Sequence, residues 1–424
     1  MLVQFKVKNF RSIKDEQVFS MTCSSRNPFL FQSKHKSAPH LLPVAGIFGA
    51  NASGKSTFTL ALNLVSDLVS NSYKNKKETK LNVAPFLLDS QSKKHPSEFE
   101  ISFIYSETLY KFGFTITEDR VVDEWLFIVP QEGRTNEVYT RYFNEETNDY
   151  DWNINDKIVK GPKANWKHLT NPKTLFLSVA IQYYSESPSE AANSTLMDAG
   201  EWLQYGIRVI GQDDSVHYTY TASRIHNNSE REKKALKLLN LVDKAITGLV
   251  VEENDLDEDR LNNIPLNMRP AFKFFNKYRL SITHSLNDKE SITWDIKQES
   301  GGTKKFIELL GPILDVLEDG MVFIVDELHN NFHPHLLEAI IKLFQNKEIN
   351  KFNAQLIFTS HDVTAMSPEI LTAEQIWLVE KSKDHDTSII PLSSYRPRSD
   401  THFWKHYLAG RYNAIPNIGT LDDL

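Results

Sequence analysis

The chain opens on a hydrophobic period of two. Leu2, Phe5, Val7 and Phe10 nearly alternate with polar residues, which predicts a half-buried strand. After a polar loop, 41–48 is a short apolar run, and 57–69 then takes up helical spacing, so the order is strand, glycine loop, helix. Between 98 and 129 three β-rich stretches, EFEISFIY, LYKFGFTI and VVDEWLFIV, are separated by the polar turns Ser106-Glu107 and Glu118-Asp119. They predict an antiparallel meander. Further Tyr- and Trp-containing strands follow over 134–160, and 174–180 reads as a buried strand or the start of a helix.

Helical spacing covers 188–205 and 230–245, an acidic loop occupies 251–259, and 279–283 and 291–297 are strand-like. The last third alternates: helix 303–317, strand 321–325, helix 336–344, and strands 354–359 and 375–379. The pattern describes an α/β protein in three parts: an N-terminal lobe over 1–185 with the meander, a helical insertion or lid over 186–285, and a C-terminal lobe over 286–424. There is no internal repeat and no sustained heptad run.

Composition removes the extremes. The 424 residues are 40% hydrophobic and 24% charged, the profile of an ordinary soluble globular protein. A formal net charge of -7 supplies no global positive field to draw the chain onto nucleic acid or anionic lipid. The single cysteine, Cys23, allows no internal disulfide, and no apolar run is long enough to span a membrane, so a cytoplasmic location is expected. Basic clusters at 73–80, 93–94 and 231–237 have few aromatics and read as exposed faces, and the acidic 255–259 stretch as a solvated loop.

The most specific signal is Gly49-Ala50-Asn51-Ala52-Ser53-Gly54-Lys55-Ser56-Thr57, which fits G-x-x-x-x-G-K-[ST] at every fixed position. The glycines let backbone N–H groups turn inward around phosphate oxygens, Lys55 adds a charge for the β- and γ-phosphates, and the Ser56 hydroxyl suits Mg²⁺. Its place between a predicted strand and a predicted helix is the one the mechanism requires.

The apolar 321–325 stretch ends in Asp326-Glu327. At the carboxyl end of a buried parallel strand, Asp326 is placed to hold Mg²⁺ and Glu327 to orient or deprotonate a water. The 354–359 strand runs into Ser360-His361-Asp362, where His361 could hydrogen-bond a γ-phosphate or its attacking water.

Taken with Glu299-Ser300-Gly301-Gly302-Thr303-Lys304-Lys305, this order of motifs resembles ABC-type ATPases, and the heads of the SMC, Rad50 and RecF group in particular. The resemblance implies a RecF/Rad50-like ATPase head of mixed β-sheet. In such heads the signature, here Ser300, Gly301, Gly302 and Thr303, caps the γ-phosphate held by the other subunit of a dimer. It also implies that Arg11 and Ser12, in Asn9-Phe10-Arg11-Ser12, lie near the nucleotide. Within the group the chain is most similar to SMC-like AAA ATPases of the RloA/AbiL type, relatives of the OLD family. The similarity extends to Leu175-Phe176-Leu177-Ser178, to 320–334 and to 407–412. In Glu327-Leu328-His329-Asn330-Asn331-Phe332-His333-Pro334, Phe332 replaces the usual leucine of the "DE…LHP" pattern.

Coiled-coil arms are not expected, since no heptads fill the interval from Lys55 to Ser300, and the stretch after His361 is too short for a TOPRIM nuclease. A Q-loop is not evident. The expectation is therefore an ATPase using ATP and Mg²⁺, working as a homodimer or higher even oligomer, and controlling a separately encoded effector, most naturally a nuclease, in antiphage defence. The rivals are a RecF-like DNA-repair ATPase and a nucleotide-gated scaffold with little turnover.

Overall fold

The computed structural model describes residues 1–36, 38–185, 194–211, 216–255, 261–286, 290–330, 332–398 and 402–412. Along the N-terminal part run β1 (Leu2–Lys8), β2 (Gln17–Ser20), β3 (Thr22–Cys23), β4 (His40–Leu41), β5 (Val44–Gly49), β6 (Ser97–Tyr105), β7 (Thr108–Ile116), β8 (Val121–Val129), β9 (Asn136–Asn144) and β10 (Asp149–Ile154). The middle supplies β11 (Ile207–Ile210), β12 (Ile246–Glu253), β13 (Tyr278–Ser285) and β14 (Ser291–Asp295). The C-terminal part adds β15 (Val322–Val325), β16 (Gln355–Ser360), β17 (Ile376–Lys381) and β18 (Thr387–Pro391).

The meander forms a seven-stranded antiparallel sheet, β10-β9-β8-β7-β6-β1-β2. A six-stranded sheet, β11-β15-β16-β5-β17-β18, is parallel except at β18. Its strands are short, and β5, β15 and β16 are buried at every residue because both faces are covered. Side chains alternate between two cores. Ala45, Ile47, Val322, Ile324, Ile357, Trp377 and Val379 join the core shared with the antiparallel sheet, while Val44, Phe48, Phe323, Val325, Leu356, Phe358, Ile376 and Leu378 join the core on the other face. Gly46 has no alternative at this density, since a Cβ there would sit 2.6 Å from the Phe48 ring and 2.8 Å from that of Phe358.

The helix Lys55–Asn71 follows β5 and packs Phe58, Ala61, Leu62, Val65, Leu68 and Val69 inward at helical spacing. Each of the larger ones contributes about 1.5–3 kcal/mol by leaving water. The stretch 174–180, open between strand and helix in the sequence, becomes the helix Phe176–Ser185. Its start is fixed by Glu124 on β8, whose carboxylate accepts from Phe176 N at 2.7 Å and Leu177 N at 3.0 Å. Glu124 also accepts from Tyr139 Oη at 2.7 Å and pairs with Arg141 Nε at 2.9 Å, both ion-pair side chains being wholly buried.

The middle segment is less helical than its spacing suggests. It carries the helices Ser194–Tyr205, Tyr218–Ile225, Ser229–Leu239 and Arg269–Asn276, but also β11, which pairs in parallel with β15 in the central sheet, and β12 and β13, which join β14 in a three-stranded sheet. Four residues of β11 are too few for a periodicity to register. The acidic 251–259 loop begins later than expected, because β12 continues to Glu253, and 256–260 lies outside the described residues. So does 188–193 of the helix expected over 188–205. The helix expected over 230–245 ends at Leu239.

This segment grips the long helix Gly301–Asp319. Pro312 interrupts that helix, and Thr221 fills the gap: its hydroxyl donates to Ile307 O at 2.6 Å and accepts from Gly311 N at 2.9 Å, replacing one rung of the ladder. One turn on, buried Asp315 receives Arg224 Nη2 at 2.7 Å, Arg231 Nη1 at 2.9 Å, Tyr220 Oη at 2.5 Å and Arg208 Nη1 at 3.4 Å. Arg231 and Lys234 also pair with Glu318, so this basic cluster is a structural clamp as well as an outer face. Among the described residues no helix is long and apolar enough to cross a membrane.

Candidate nucleotide site

In the central sheet, β5, β15, β16 and β17 run in parallel, so their carboxyl ends meet at one edge. Ser360 stands opposite Phe48, and Val325 opposite Phe358. Three loops therefore converge: the glycine loop after β5, Asp326-Glu327 after β15, and His361 after β16. They border a cavity of about 470 Å³ lined by Ser12, 51–57, Glu327, Asn330 and His361. Residues far apart in sequence become neighbours because the topology, not the chain, sets their distance.

The glycine loop is built for an anion. Gly54, the N-cap of Lys55–Asn71, has φ 111°, a left-handed conformation in which a Cβ would also lie 2.3 Å from Thr387 Oγ1. Ala52 is held at φ 61°. Thr57 N donates to Gly54 O at 3.0 Å, whereas the first-turn N–H groups of Lys55 and Ser56 have no intrahelical acceptor and lie at the cavity end of the dipole. Lys55 is buried and folded back, donating from Nζ to Gly49 O at 3.0 Å and Ala50 O at 3.1 Å, and lying 3.6 Å from Glu327 Oε1. Ser53 Oγ is buried with no hydrogen-bond partner, an orphaned polar atom that a phosphate oxygen would satisfy.

The carboxylates take different positions. Asp326 is buried, and the Thr359 hydroxyl donates to its Oδ1. Glu327 N donates to Thr359 Oγ1 at 2.8 Å, and Glu327 itself sits at φ 53°, a strained conformation for a side-chain-bearing residue that turns it into the cavity. His361 Nδ1 is 3.0 Å from Glu327 Oε2, and His361 Nε2 is 3.0 Å from His329 Nε2. Burial, then the neighbouring His361, pushes the His329 imidazole below its usual value.

Among the other residues singled out in the sequence, Ser12 is at the cavity: its hydroxyl donates to Thr57 Oγ1 at 3.0 Å and accepts from Thr387 Oγ1 at 2.9 Å. Arg11 is exposed and does not line the cavity; its N–H donates to Ala84 O at 2.8 Å. Ser300 caps the helix Gly301–Asp319, its Oγ accepting from Thr303 N at 3.1 Å. Ser300, Gly302 and Thr303 line a second cavity of about 360 Å³ with His333 and His335, and not the cavity of Lys55. Gly301 faces open space, with nothing within 4 Å of a Cβ placed there. Glu327 and Asn330 line the first cavity, and His333, a few positions on in the sequence, lines the second.

Sequence reasoning did not single out His329, Asn330, Thr359 or Thr387 as site residues. His329 and Asn330 lie inside a segment already singled out for its chemistry, and Thr359 is the last apolar-strand position before Ser360. Thr387 has no sequence signal. It reaches the loop only because β18 pairs with β17, and it donates to Ser53 O at 2.8 Å.

The residues fit Mg²⁺ by their chemistry: a buried carboxylate at Asp326 and a hydroxyl at Ser56 are oxygen donors of the kind that cation takes. Fold and site together define a phosphate-loop nucleotide-binding protein with an acidic pair on a parallel strand. The chain belongs to the family described as "AAA domain, putative AbiEii toxin, Type IV TA system", which matches residues 44–367. No curated protein matches the chain in sequence. Among solved structures it is similar to the SMC head domain from Thermotoga maritima, with a TM-score of 0.41 and 13% identity over 92% of this chain and 98% of that one. It is also similar to the recombination mediator protein RecF-ATPrS in the RecFOR pathway, with a TM-score of 0.36 and 14% identity over 92% and 98%.

Proposed function

We propose that the protein is an ABC-type ATPase that binds and hydrolyses Mg²⁺·ATP and uses the cycle to control a separately encoded effector, a nuclease in antiphage defence of the RloA/AbiL kind. The observation that carries the reading is the convergence of Lys55, Glu327 and His361 from three adjacent parallel strands on one cavity, with Asp326 buried next to Glu327 at the end of the same strand.

Lys55 leaves the carbonyls of Gly49 and Ala50 for the β- and γ-phosphates, and the loop N–H groups and Ser53 Oγ complete the cradle. Ser56 and Asp326 would hold Mg²⁺, which when bound neutralises phosphate charge. Departure of Lys55 frees Glu327 Oε1, so the carboxylate becomes available as a general base for water only once nucleotide is in place. His361, hydrogen-bonded to Glu327 Oε2, orients that carboxylate and reaches toward the γ-phosphate.

The signature lies apart from its own chain's phosphate loop, which supports a homodimer in which Ser300 and the first-turn N–H groups of one subunit cap nucleotide on the other. Opening and closing of that dimer is the bistable element an effector would read. A plaque assay tests the biological role. Cells expressing this chain with its genomic neighbour should resist phage, and Glu327→Gln should abolish resistance. Equal plaque counts, together with DNA-stimulated turnover that falls steeply with salt, would favour a repair ATPase instead.

A further inference from the structure

Glu299 directly precedes Ser300, yet its side chain does not line the cavity that Ser300 lines. It turns to the three-stranded sheet, where it is only 6% exposed and its Oε1 accepts two hydrogen bonds, from His284 Nε2 at 2.7 Å and from Trp294 Nε1 at 2.6 Å. A carboxylate oxygen only accepts, so Nε2 is the imidazole nitrogen that carries the hydrogen. His284 lies on β13 opposite Ile292 of β14, which makes Trp294 its diagonal neighbour, and the two rings stack with centroids 4.3 Å apart. Asp243 Oδ2 is 3.8 Å from His284 Nδ1, outside hydrogen-bond range, so Glu299 is the carboxylate that His284 serves.

We propose that His284 and Glu299 are positioning residues for the signature: through one carboxylate oxygen they tie the start of the helix Gly301–Asp319 to the three-stranded sheet, and they keep a negative charge away from the phosphate that this start would cap. The proposal rests on the reading of the chain as a dimeric ATPase. At the head of the helix Thr303 N is taken by Ser300 Oγ and Lys304 N by Ser300 O, whereas Gly301 N and Gly302 N have no intrahelical acceptor and are the donors left for an anion. A carboxylate one residue away opposes that anion unless other donors draw it off. The two buried N–H groups of His284 and Trp294 do so, and hydrogen bonds to a carboxylate are among the strong ones.

The backbone of the turn before Ser300 is closed without these side chains, since Glu299 N donates to Ile296 O at 3.0 Å and Lys304 Nζ to Lys297 O at 2.6 Å. Further along the helix, Thr221 and Asp315 hold its body. What Glu299 adds is the tie from the head of the helix to β13 and β14. Loss of that tie therefore displaces the head and leaves the body in place, and a displacement of about 1 Å at a site of reaction can cost about 100-fold in rate. Nucleotide binding to the same chain's phosphate loop is untouched, because neither His284 nor Glu299 lines the cavity of Lys55.

The test compares the full chain with His284→Phe, which keeps a ring on Trp294 and removes the donor, and with His284→Gln, which sets an amide N–H near the place of Nε2–H. In His284→Phe the amides of 301–304 should exchange hydrogen faster than in wild type while those of β5 do not change. Phosphate release from Mg²⁺·ATP should fall by at least about tenfold with binding of a fluorescent ATP analogue unchanged, and His284→Gln should restore most of the loss. Mixed with Lys55→Ala, His284→Phe should regain turnover, since one site then joins an intact loop to an intact signature; mixed with Gly301→Arg it should not. Should His284→Phe fail to fold, Trp294→Phe removes the other donor and carries the same expectations for exchange, turnover and mixing. Turnover equal to wild type in the phenylalanine variant, or a loss that neither glutamine nor mixing with Lys55→Ala relieves, would overturn the proposal and leave the ATPase reading standing. A wild type that releases no phosphate would sink the ATPase reading instead, and hydrogen exchange then decides the tie by itself: faster exchange at 301–304 in the variant upholds it, and equal exchange overturns it.

Discussion

Lys55 Nζ lies 3.6 Å from Glu327 Oε1, joining the phosphate loop to the carboxylate at the end of β15. The pair is largely buried, with side chains 5% and 11% exposed, and each member is held elsewhere: Lys55 on the loop carbonyls, Glu327 on His361. In the proposed cycle nucleotide breaks this contact as it draws Lys55 onto phosphate. Glu327→Gln removes the anion that competes with phosphate for Lys55, and ATP should bind about fivefold more tightly, from roughly 1 kcal/mol of lost competition. Lys55→Ala should weaken binding by at least about 30-fold. Equilibrium titration with a fluorescent ATP analogue measures both, and weaker binding in Glu327→Gln would show that the pair does not oppose nucleotide.

His361 contacts Glu327 at 3.0 Å and is half exposed, so in the proposed mechanism its loss affects turnover and not the core. His361→Ala should lower kcat by about 100-fold with little change in KM, the range for losing a positioned polar group in proton transfer. Its melting temperature should match wild type. A variant that loses stability and activity together would recast His361 as a structural residue.

Action in trans gives a sharper signature. Gly301→Arg should fold normally, because a side chain there projects into open space, yet it should block the approach of a partner's nucleotide. Lys55→Ala fails at the other half of the same composite site. Mixed, the two inactive proteins should regain turnover, since a heterodimer holds one intact site. No recovery at any mixing ratio would place signature and phosphate loop in separate functions.

Much of this was legible in the chain, and the reason is physical. The phosphate loop, the acidic strand and the meander are local patterns in which period and spacing are themselves the cause of structure. The glycine loop lies between β5 and the helix Lys55–Asn71 as its mechanics demand. What stayed hidden depends on tertiary proximity. β11 is four residues whose partner stands over a hundred positions away, Thr387 meets the loop across a β-ladder, and His329 gains meaning only beside His361. Arg11 is a different case: the resemblance implies a place near the nucleotide, and the structure has it exposed, with its backbone at φ 51° and its N–H on Ala84 O, and not among the residues lining the cavity.

The clamp on the signature helix is a stability prediction. Thr221→Val keeps the shape and removes the hydroxyl that bridges Ile307 and Gly311, so it should cost about 1–3 kcal/mol in chemical denaturation. Asp315→Asn strands three arginines that are each partly exposed, and about 2 kcal/mol is expected after allowing for their solvation.

For Asp315, burial alone would raise the carboxyl, but hydrogen bonds from Tyr220 and Arg224 and the charge of Arg224 hold it below its ordinary value of 3.8. A carboxyl lowered in the folded state stabilises the protein above the unfolded value, and that contribution fades as pH falls below it. Wild type should thus lose stability more steeply than Asp315→Asn on acidification below about pH 4. Parallel acid-unfolding curves would remove Asp315 from the account.

The buried pair Arg141–Glu124 is independent of this clamp. Arg141→Met leaves a wholly buried carboxylate without its cation and should destabilise by about 3–5 kcal/mol. Calorimetry checks it, and a melting temperature within a degree of wild type would contradict the pairing.

The central claim is hydrolysis at the cavity lined by Lys55 and Glu327, and steady-state phosphate release from Mg²⁺·ATP tests it most directly. The account predicts measurable turnover by the wild type and a fall of at least about 100-fold in Glu327→Gln, which still binds ATP. Equal turnover in the two proteins would contradict the assignment of Glu327, and no release by the wild type, with or without its partner, would leave a nucleotide-gated scaffold in place of an enzyme.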